Sequence, residues 1–461
     1  MLLVSDAERR ARGFDDVPSP RFDAVIVGAG PAGSVAALVL ARGGARVALV
    51  DKTDFPRDKA CGDLVGPRGL QVLDDLGLSF PDALAVGDML VVGPTHPVRL
   101  PCRPGRTYPG HALAVPRLRF DAALRDAAIA AGAEPFVGRA RGPCFGPGGL
   151  EGCSLATGEE LRGDVVIGAD GALSAVGGWA DLVRSDQVLW GFALRGYVEE
   201  PVALPQILLW ESSPRRAFPG YGWVFPGPDG RANVGLGCGV LADRSAATLA
   251  ARSWPRFADH LVERGVLHRP PPVESLLGGW LKLGLVGTRP ADGRVLLVGD
   301  AAGLVNPLQG EGIAQAMASA QAAALAVLAG PDQAAARYRA QLGARYAPYL
   351  SATTPIHAAL LPRPRLVSTL ARALTLPGVG RALAGGWALY WNDLLEGATP
   401  GPPRAVAALA DRALRAATGR GGMRRWFHDQ LRIPDRCRAE PSLEPAPSAA
   451  AASATPTGPV S

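Results

Sequence analysis

The sequence predicts an α/β fold: a discontinuous α/β domain with an inserted antiparallel β-sheet domain and a helical C-terminal region. Three observations support this prediction. A glycine-rich turn between a short apolar strand and a helix stands near the start of the chain, within 24–42. Two further strands followed by Gly and Asp come much later, at 165–171 and 294–300. A block of alternating apolar and polar residues with turn signals separates these two, at 187–240.

The first element is a strand, a turn and a helix, with a second strand behind them. The apolar run 24–27 leads into GAGPAG at 28–33; a helix-like run follows, and then a strand that ends on Asp51. In this arrangement the first glycine permits the tight turn, the second lets a pyrophosphate approach, and the third lets the helix pack closely. The helix N-terminus can donate to phosphates, and Asp51 can bind a ribose hydroxyl. The pattern predicts a Rossmann-like dinucleotide site rather than a glycine-rich turn that binds nothing.

The later elements follow from periodicity and from chain breakers. Residues 117–132 have apolar positions at helical spacing, an Ala-rich helix is predicted from about Gln309 to Leu328, and 333–438 is mostly helical. From this order we predict five parts: a polar lead-in over 1–20, a discontinuous nucleotide-binding domain over 21–90, 111–180 and 290–330, a β-rich substrate domain over 91–110 and 181–289, a helical region over 331–438, and a disordered tail over 439–461.

Composition narrows the class of protein. Hydrophobic residues make up 48% and charged residues 20% of the 461 residues, which is typical of a soluble globular chain. The six cysteines form no Cys-x-x-Cys pair, so we predict no metal site, no disulfide framework and a reducing, cytoplasmic location. The N-terminus lacks the basic-then-apolar order of a signal peptide, and no segment is predicted to span a membrane.

The positive charge is concentrated near the C-terminus. Residues 331–440 hold 16 Arg against 7 acidic residues, a local charge of +9, whereas the whole chain has +6. Two interpretations stay open. The region contacts anionic lipid or phosphate groups at a membrane surface, or it is a solvated surface in a chain that uses Arg in place of Lys. No nucleic-acid partner is predicted.

Three motifs together identify a family resemblance. They are GAGPAG at 28–33, GADGALS at 168–174 and VGDAAGLVNPLQGEGI at 298–313. This set resembles the FAD-dependent oxidoreductases built like para-hydroxybenzoate hydroxylase, over about residues 21–330. The resemblance implies FAD as cofactor, with Asp170 close to the pyrophosphate and Asp300 on the ribityl chain or phosphates. It further implies that Arg117 reaches the FAD phosphates; Gly177 stands where the family usually has Arg.

The glycine fingerprint and the resemblance together give a predicted set of FAD-binding residues. Some line the first turn, some the second and third motifs, and some the loop after the second strand. The set is Gly28, Gly30, Pro31, Ala32, Gly33, Asp51, Lys52, Cys61, Gly62, Arg117, Asp170, Gly171, Gly299, Asp300, Gly310, Gly312 and Ile313. The helix that follows Gly310 is expected to point its N-terminal dipole at the electron-rich part of the flavin.

Two further stretches resemble the geranylgeranyl reductase branch of this family. DKTDFPRDKACG at 51–62 is similar to its F-P-R-x-K-x-C-G segment, and GYGWVFP at 220–226 with NVGLG at 233–237 is similar to its Y-x-W-x-F-P and N-V-G-x-G signature. The branch reduces isolated C=C bonds of prenyl chains with FAD that NAD(P)H or another donor has reduced. Asp63 follows Cys61 and Gly62, where the branch often has more glycine, and is expected to change the polarity beside the flavin.

Alkene reduction sets the requirements for the catalytic residues. The double bond must lie at near-attack distance from the flavin, water must be excluded, and a proton must reach the second carbon. Tyr221, Trp223 and Phe225 alternate on a predicted strand and therefore point to one face, either a lipid channel or a packed core. Cys61 either lines the site or assists proton delivery, or it is an inert thiol. The candidate catalytic residues are Cys61, Tyr221 and Trp223.

Rival functions remain open at this stage. The preferred interpretation is reduction of C=C bonds in a prenyl lipid or isoprenoid. The alternatives are a flavin-dependent monooxygenase of a small hydrophobic molecule, a flavin-dependent halogenase, and a flavoprotein scaffold without turnover. The halogenase branch has W-x-W-x-I-P where 221–226 stands here, and it needs an active-site lysine. No second glycine fingerprint marks a separate NAD(P)H site. Two alternatives therefore stay open for the electron donor: NAD(P)H that binds transiently, or a ferredoxin or reduced flavin. Arg57 and Lys59 either meet cofactor phosphate or lie in a solvated loop.

Overall fold

A computed structural model describes residues 21–213, 216–217, 220–241, 244–350, 356–357, 360 and 363–418. The predicted lead-in at 1–20, the predicted disordered tail at 439–461 and the end of the predicted helical region lie outside the described residues. Two large sheets and two small ones form within the described part of the chain. The predicted α/β class with an additional antiparallel sheet is confirmed.

The strands are numbered in chain order. The first eleven are β1 (Phe22–Val27), β2 (Val47–Asp51), β3 (Leu64–Val65), β4 (Leu84–Val86), β5 (Met89–Val92), β6 (Val98–Leu100), β7 (Ala112–Ala114), β8 (Glu134–Val137), β9 (Ala140–Gly146), β10 (Gly149–Leu155) and β11 (Glu160–Gly168). The later ones are β12 (Leu189–Val198), β13 (Gln206–Leu208), β14 (Glu211–Ser213), β15 (Arg216–Ala217), β16 (Gly220–Pro226), β17 (Ala232–Leu241), β18 (Leu277–Leu283), β19 (Ala291–Asp292) and β20 (Val295–Leu297).

The helices are numbered in the same way. They are α1 (Pro31–Arg42), α2 (Pro67–Asp75), α3 (Arg117–Ala130), α4 (Ala175–Trp179), α5 (Ser245–Glu263), α6 (Ile313–Leu328), α7 (Ala334–Leu350), α8 (Pro364–Leu374), α9 (Gly380–Trp391) and α10 (Pro402–Thr418). A short 3₁₀ turn, Gly299–Ala301, carries the Gly-Asp pair of the third motif.

The first large sheet has a parallel centre. Its order is β19-β20-β11-β1-β2-β8, with β10 and β9 added beside β11. β1 lies between β11 and β2, so that Val25 is opposite Val166 on one side and Ala48 on the other. β1 and β2 are buried along almost their whole length, as expected for a parallel sheet covered by helices. The C-terminal ends of β1, β2, β11 and β20 therefore share one edge, which is where open parallel sheets bind ligands.

The second large sheet is antiparallel apart from one pair. Its order is β18-β12-β17-β16-β13-β5-β6, and only β13 and β5 run parallel among its strands. Helix α5 packs on it, and Trp254 and Phe257 share a core with Val224 of β16. A Cβ built at Gly222 would lie 2.2 Å from the Phe257 ring, so glycine permits this close approach. One face of β16 thus packs in the core with α5, and only its other face is available to line a binding site.

Two helices differ from the sequence prediction. The helix of the third motif begins at Ile313 rather than near Gln309, because Gly310 has φ +68 and the Asn306 side chain accepts from the backbone N–H groups of residues 308 and 309. Helix α5 was not predicted inside the β-rich block, although its buried residues at 246, 250, 254, 257 and 261 have helical spacing. None of the described helices is long and apolar enough to cross a bilayer.

Candidate functional site

The glycine turn is fixed by close backbone contacts. Gly28 has φ +102, and a Cβ built there would lie 2.3 Å from the Ala169 carbonyl oxygen of the second motif. A Cβ at Gly33 would lie 1.7 Å from the Gly28 carbonyl oxygen. Both positions therefore require glycine for packing, because no neighbouring side chain can move away to make room. The first and second motifs meet at this turn.

Gly30 has a different environment. The nearest atom to a Cβ built there is Nη2 of Arg57, at 3.5 Å, and no backbone lies close. Helix α1 begins directly afterwards with Pro31, and no described side chain caps its N-terminus. A helix N-terminus carries unsatisfied N–H groups and a partial positive charge, so an anion can approach here. The space fits a phosphate group of a dinucleotide.

Asp51 lies at the end of β2, next to this turn. Its Oδ2 accepts a hydrogen bond of 2.8 Å from the Ala29 N–H, and its Oδ1 accepts from the Thr53 N–H and Oγ1, both at 3.2 Å. The carboxylate is thereby held at the edge of the sheet, where a sugar hydroxyl can reach it. The neighbouring Lys52 is exposed.

Two arginines share one buried carboxylate beside the turn. Arg117, which is 4% exposed, donates to Asp121 from Nε at 2.6 Å and from Nη2 at 2.7 Å. Arg57 donates to the same carboxylate at 3.2 Å and lies 3.6 Å from Asp51. Asp121 therefore holds the Arg117 guanidinium through two hydrogen bonds, whereas Arg57 is the arginine that lies over Gly30. A phosphate contact by Arg117 stays a prediction.

The second motif forms a capped turn. The Asp170 carboxylate accepts from Ser174 Oγ at 2.6 Å and from the N–H groups of Ala175 and Val176 at 2.6 and 3.1 Å. It thus stabilises the first turn of α4, although burial raises its pKa. Gly171, which follows, has φ +82. The structure brings Asp170 next to the glycine turn but uses its carboxylate to hold the loop.

The third motif lies across the same edge. Asp300 Oδ2 is 3.2 Å from Lys59 Nζ, and the Gly299 N–H donates to Ser319 Oγ at 3.0 Å. A Cβ built at Gly312 would lie 3.5 Å from Asp300 Oδ1. Gly312 directly precedes Ile313 and α6, and no described side chain caps that helix. The third motif therefore offers a second uncapped helix N-terminus beside a carboxylate.

The loop 57–63 connects the two large sheets. Arg195 of β12 donates to Asp58, and Lys59 reaches Asp300. Asn233 of β17 donates to the Cys61 carbonyl oxygen at 2.8 Å and to Asp63 at 2.9 Å. Lys59 is therefore paired with the carboxylate of the third motif, and a contact of Arg57 or Lys59 with cofactor phosphate stays a prediction. Asn233 begins the NVGLG signature, but a hydrogen-bonding role between distant segments has no local signal in the sequence.

Asp63 holds the end of the 57–63 loop. Its carboxylate is buried and accepts from the Tyr197 hydroxyl, from Asn233 and from the Arg117 N–H at 3.2 Å. Burial raises its pKa, and these hydrogen bonds oppose the rise. The acid therefore ties the loop to the second sheet, and its effect on the polarity beside the flavin stays a prediction.

The three aromatic residues of β16 form one wall. The ring centroids of Tyr221 and Trp223 are 6.2 Å apart, and those of Trp223 and Phe225 are 6.3 Å apart and stacked. They lie on the face opposite the α5 core. A Cβ built at Gly62 would lie 2.9 Å from the Phe225 ring and 3.3 Å from Trp223 Nε1. The aromatic wall therefore packs directly against the end of the 57–63 loop.

Cys61 and Tyr221 are the polar candidates beside this wall. Cys61 is half-buried; burial raises the pKa of its thiol, and the Asp63 N–H lies 3.4 Å from Sγ. Tyr221 donates its hydroxyl to the Gln309 carbonyl oxygen, and burial raises its pKa. Both groups hold their protons at neutral pH.

Glu311 was not among the predicted site residues. It lies inside the third motif, between Gly310 and Gly312, and burial raises its pKa to about 7. A Cβ built at the preceding Gly310 would lie 2.8 Å from the Tyr221 hydroxyl oxygen. In the sequence, Glu311 is marked by its position between two glycines at the start of a helix. The burial of its carboxyl group depends on the fold and could not be seen there.

Comparisons with known proteins agree with this geometry. The family model of the FAD binding domain matches residues 21–187. The menaquinone reductase of Mycolicibacterium smegmatis is 34% identical over 302 residues, which cover 64% of this chain and 73% of that protein. Digeranylgeranylglycerophospholipid reductase 2 of Methanopyrus kandleri is 33% identical over 304 residues, covering 63% and 73%.

A solved structure shares the fold. The geranylgeranyl bacteriochlorophyll reductase-like protein of Thermoplasma acidophilum aligns with a TM-score of 0.67 at 22% identity, over 85% of this chain and 99% of that one. The two glycine-bounded helix starts and the carboxylates beside them fit FAD, which is the cofactor of this FAD-binding fold. The chain is an FAD-dependent oxidoreductase, and it belongs to the geranylgeranyl reductase family.

Proposed function

We propose that the protein reduces C=C bonds of a prenyl lipid or isoprenoid with electrons from FAD. The observation that carries the proposal is the contact between Gly62 and the Trp223–Phe225 wall, because it sets an aromatic surface against the loop that binds the cofactor motifs. Menaquinone and digeranylgeranylglycerophospholipid, the compounds in the names of the two relatives, both carry polyprenyl chains. An aromatic wall suits such a substrate.

In this proposal the first sheet holds the cofactor. The turn at 28–33 and Arg57 bind the pyrophosphate, and Asp51 binds a ribose hydroxyl. Asp300 and the N-terminus of α6 bind the flavin side. Arg117 positions Arg57 through their shared contact with Asp121. The other predicted FAD-binding residues surround these contacts.

The second sheet holds the substrate. The wall of Tyr221, Trp223 and Phe225 excludes water and keeps the alkene flat against the cofactor. The hydrogen bond from Tyr221 to the Gln309 carbonyl oxygen fixes the ring beside the third motif. A hydride is the chemistry that bound, reduced FAD supplies. We propose that NAD(P)H or another transiently bound donor reduces the oxidised flavin again.

We also propose peripheral contact with the cytoplasmic face of a membrane, through residues 363–381. This segment has four exposed arginines and no acidic residue. Three apolar residues of the same segment are 42–52% exposed: Leu366, Leu376 and Val379. Exposed apolar side chains with surrounding cations suit the interface of an anionic bilayer. The five described cysteines are free, which supports a reducing compartment.

The test of the reaction is a single turnover without oxygen. The FAD-loaded protein is reduced with dithionite, and a digeranylgeranyl glycerolipid is added in detergent. We expect the absorbance of oxidised flavin to return and the lipid to gain two hydrogens per reduced bond. A requirement for oxygen with a gain of one oxygen atom would support the monooxygenase instead. Flavin that stays reduced with every prenyl lipid tested would refute the proposal.

A matched pair of variants tests the aromatic wall in the same assay. Trp223→Leu is expected to slow flavin reoxidation more than tenfold with FAD still bound, because the wall loses contact area and admits water. Trp254→Leu is the control, since Trp254 is as deeply buried but packs on the opposite face with α5. It is expected to lower stability and leave the reoxidation rate of the folded protein unchanged.

A further inference from the structure

One carboxyl group in the third motif has no role in holding the cofactor loop. Glu311 lies between Gly310, whose built Cβ would approach the Tyr221 hydroxyl to 2.8 Å, and Gly312, whose built Cβ would lie 3.5 Å from Asp300. The turn therefore joins the aromatic wall to the acid of the cofactor motif. Glu311 stands where the proposed substrate side meets the proposed FAD side.

The Glu311 carboxyl is enclosed without a neutralising contact. Its Oε1 is buried, and no group among the described residues lies within hydrogen-bonding distance of it. This oxygen lies 2.9 Å from a Cβ built at Gly66, at the N-terminal end of α2. The residue as a whole keeps part of its surface exposed. Part of the residue can therefore be reached from solvent, although one carboxyl oxygen is sealed.

The surroundings of Glu311 favour its protonated form. The pKa of Glu311 is raised to about 7: burial has the largest effect, Asp393 adds to the rise, and Arg68 of α2 opposes it. Arg68 is itself engaged with the Asp393 main-chain oxygen. Tyr221 of β16 and Tyr346 of α7 also interact electrostatically with Glu311, and both have raised pKa values. A large fraction of Glu311 carries a proton at neutral pH.

Cys61 is the competing proton source. Burial raises the pKa of its thiol above the usual value for cysteine, so the thiol keeps its proton but releases it poorly. A general acid works best when its pKa is close to the working pH. Glu311 meets this condition and Cys61 does not.

We propose that Glu311 is the general acid of alkene reduction, an inference that rests on the proposed function. One alkene carbon receives the hydride, and the other receives the proton of the Glu311 carboxyl. The π bond is replaced by two C–H bonds, and the alkene gains the two electrons that the flavin loses. The Glu311 carboxylate then recovers a proton from solvent, while the external donor reduces the flavin again.

The experiment compares Glu311→Gln with the wild type in the oxygen-free single turnover. We expect the variant to bind FAD within threefold of the wild-type affinity and to be reduced normally by dithionite. Its reoxidation by the glycerolipid should be slower by about 10²–10⁴-fold, the usual contribution of a general acid. Glu396→Gln is the control, because Glu396 is exposed and close to Asp393; it should keep the wild-type rate.

The pH profile separates proton donation from a merely structural effect. The wild-type rate should fall as pH rises through about 7, because the acid form of Glu311 is lost, and the Gln variant should lack this limb. Glu311→Asp keeps the acid and should recover part of the rate together with the limb. Infrared spectra of the oxidised, FAD-loaded protein should show a carboxyl band that titrates near pH 7 and is absent from Glu311→Gln.

The possible results distinguish failure of the general-acid role from failure of the proposed function. If the wild type reduces the lipid and Glu311→Gln matches its rate and pH profile, the general-acid role is wrong and the proposed function stands. If the infrared band persists in Glu311→Gln, another carboxyl is the protonated one and the inference fails. If the wild type is not reoxidised by any prenyl lipid, both proposals fall. Should the Gln variant fail to fold, loss of the pH limb in Glu311→Asp overturns the role.

Discussion

Most of the acidic residues described at the site hold neighbouring segments in place, and Glu311 differs from them. Asp170 caps α4, Asp121 holds two arginines, and Asp63 accepts three hydrogen bonds from three segments. Each of these carboxylates is neutralised or fully hydrogen-bonded, which offsets the cost of burying it. Glu311 has no such set of contacts for its sealed oxygen. The contrast at the residue scale is what distinguishes a reactive acid from a structural one.

Lys282 is the cationic counterpart of this exception. It is fully buried on β18, and among the described residues no hydrogen-bond partner lies near its Nζ. Burial lowers its pKa to about 8, while Asp170 and Asp300 oppose the shift. The charged form is therefore less stable in the folded chain than in the unfolded one. Protonation destabilises the fold as pH falls from about 10.5 through about 8.

We expect Lys282→Met to stabilise the FAD-loaded protein at pH 7. The pKa shift corresponds to a cost of at most about 3 kcal/mol for the buried charge, and a methionine of similar volume avoids that cost. Thermal unfolding at pH 7 and pH 10.5 measures the effect, which should be smaller at the higher pH. Arg139→Met is the control, because Arg139 is exposed and is not among the predicted FAD-binding residues. A melting temperature lowered by Lys282→Met would contradict the prediction.

At the scale of elements, glycines determine how closely the first strand, turn and helix pack. Gly33 and Gly28 touch through backbone atoms, and Gly28 also touches Ala169 of the second motif. Positions 28 and 169 are 141 residues apart in sequence, and these contacts bring their two motifs to one edge of the sheet. The FAD site therefore depends on the spacing of α1 from β1.

We expect Gly33→Ala to weaken FAD binding by more than tenfold and to lower the melting temperature. The added Cβ would lie 1.7 Å from the Gly28 carbonyl oxygen, so α1 must move away from the turn. Fluorescence titration of the apoprotein with FAD measures the affinity. Gly178→Ala in α4 is the control, since a Cβ there has no heavy atom within 4 Å among the described residues. Equal FAD affinity in both variants would refute the argument.

At the scale of the whole molecule, the two sheets divide the work and the helical region adds a surface. Helix α8 is held to the second sheet by a core that includes Leu374 and Val91. The cationic, partly apolar segment 363–381 therefore lies beside the proposed substrate sheet rather than beside the first glycine turn. A lipid substrate taken from a membrane would approach from this side.

Membrane contact is tested by flotation with vesicles of anionic phospholipid. The wild type should float at low salt and less at high salt, because salt screens the arginines. Arg365→Glu with Arg381→Glu should reduce binding by roughly 30-fold or more, at about 1 kcal/mol for each lost cation. Arg139→Glu with Arg141→Glu makes the same charge change on exposed residues elsewhere. Equal loss in both double variants, or no flotation at either salt, would contradict the proposal.

Local features of the site could be predicted from the sequence. The strand, turn and helix at 22–42 involve neighbours along the chain, so their glycines and apolar run carry the signal directly. The period of two in 221–225 predicted one aromatic face, and the ring distances confirm it. The start of α6 was misplaced by about four residues, because the backbone at Gly310 and the Asn306 side chain delay the helix.

Contacts between distant segments could not be predicted in this way. Lys59 and Asp300 are 241 residues apart, and Asn233 and Asp63 are 170 apart. No spacing rule relates such residues, since their meeting depends on how two sheets dock. For the same reason, the hydrogen bonds by which Asp63 holds the loop could not be predicted.

The sequence by itself determined the fold class, the cofactor family and the face of β16 that carries the aromatic residues. These follow from glycine positions and periodicity, which act over a few neighbouring residues. Only the tertiary structure decided which carboxylates are satisfied and which are left to react. Burial and hydrogen bonding depend on every element packed around a group, so Asp63 became a clamp while Glu311 kept a proton within reach of neutral pH.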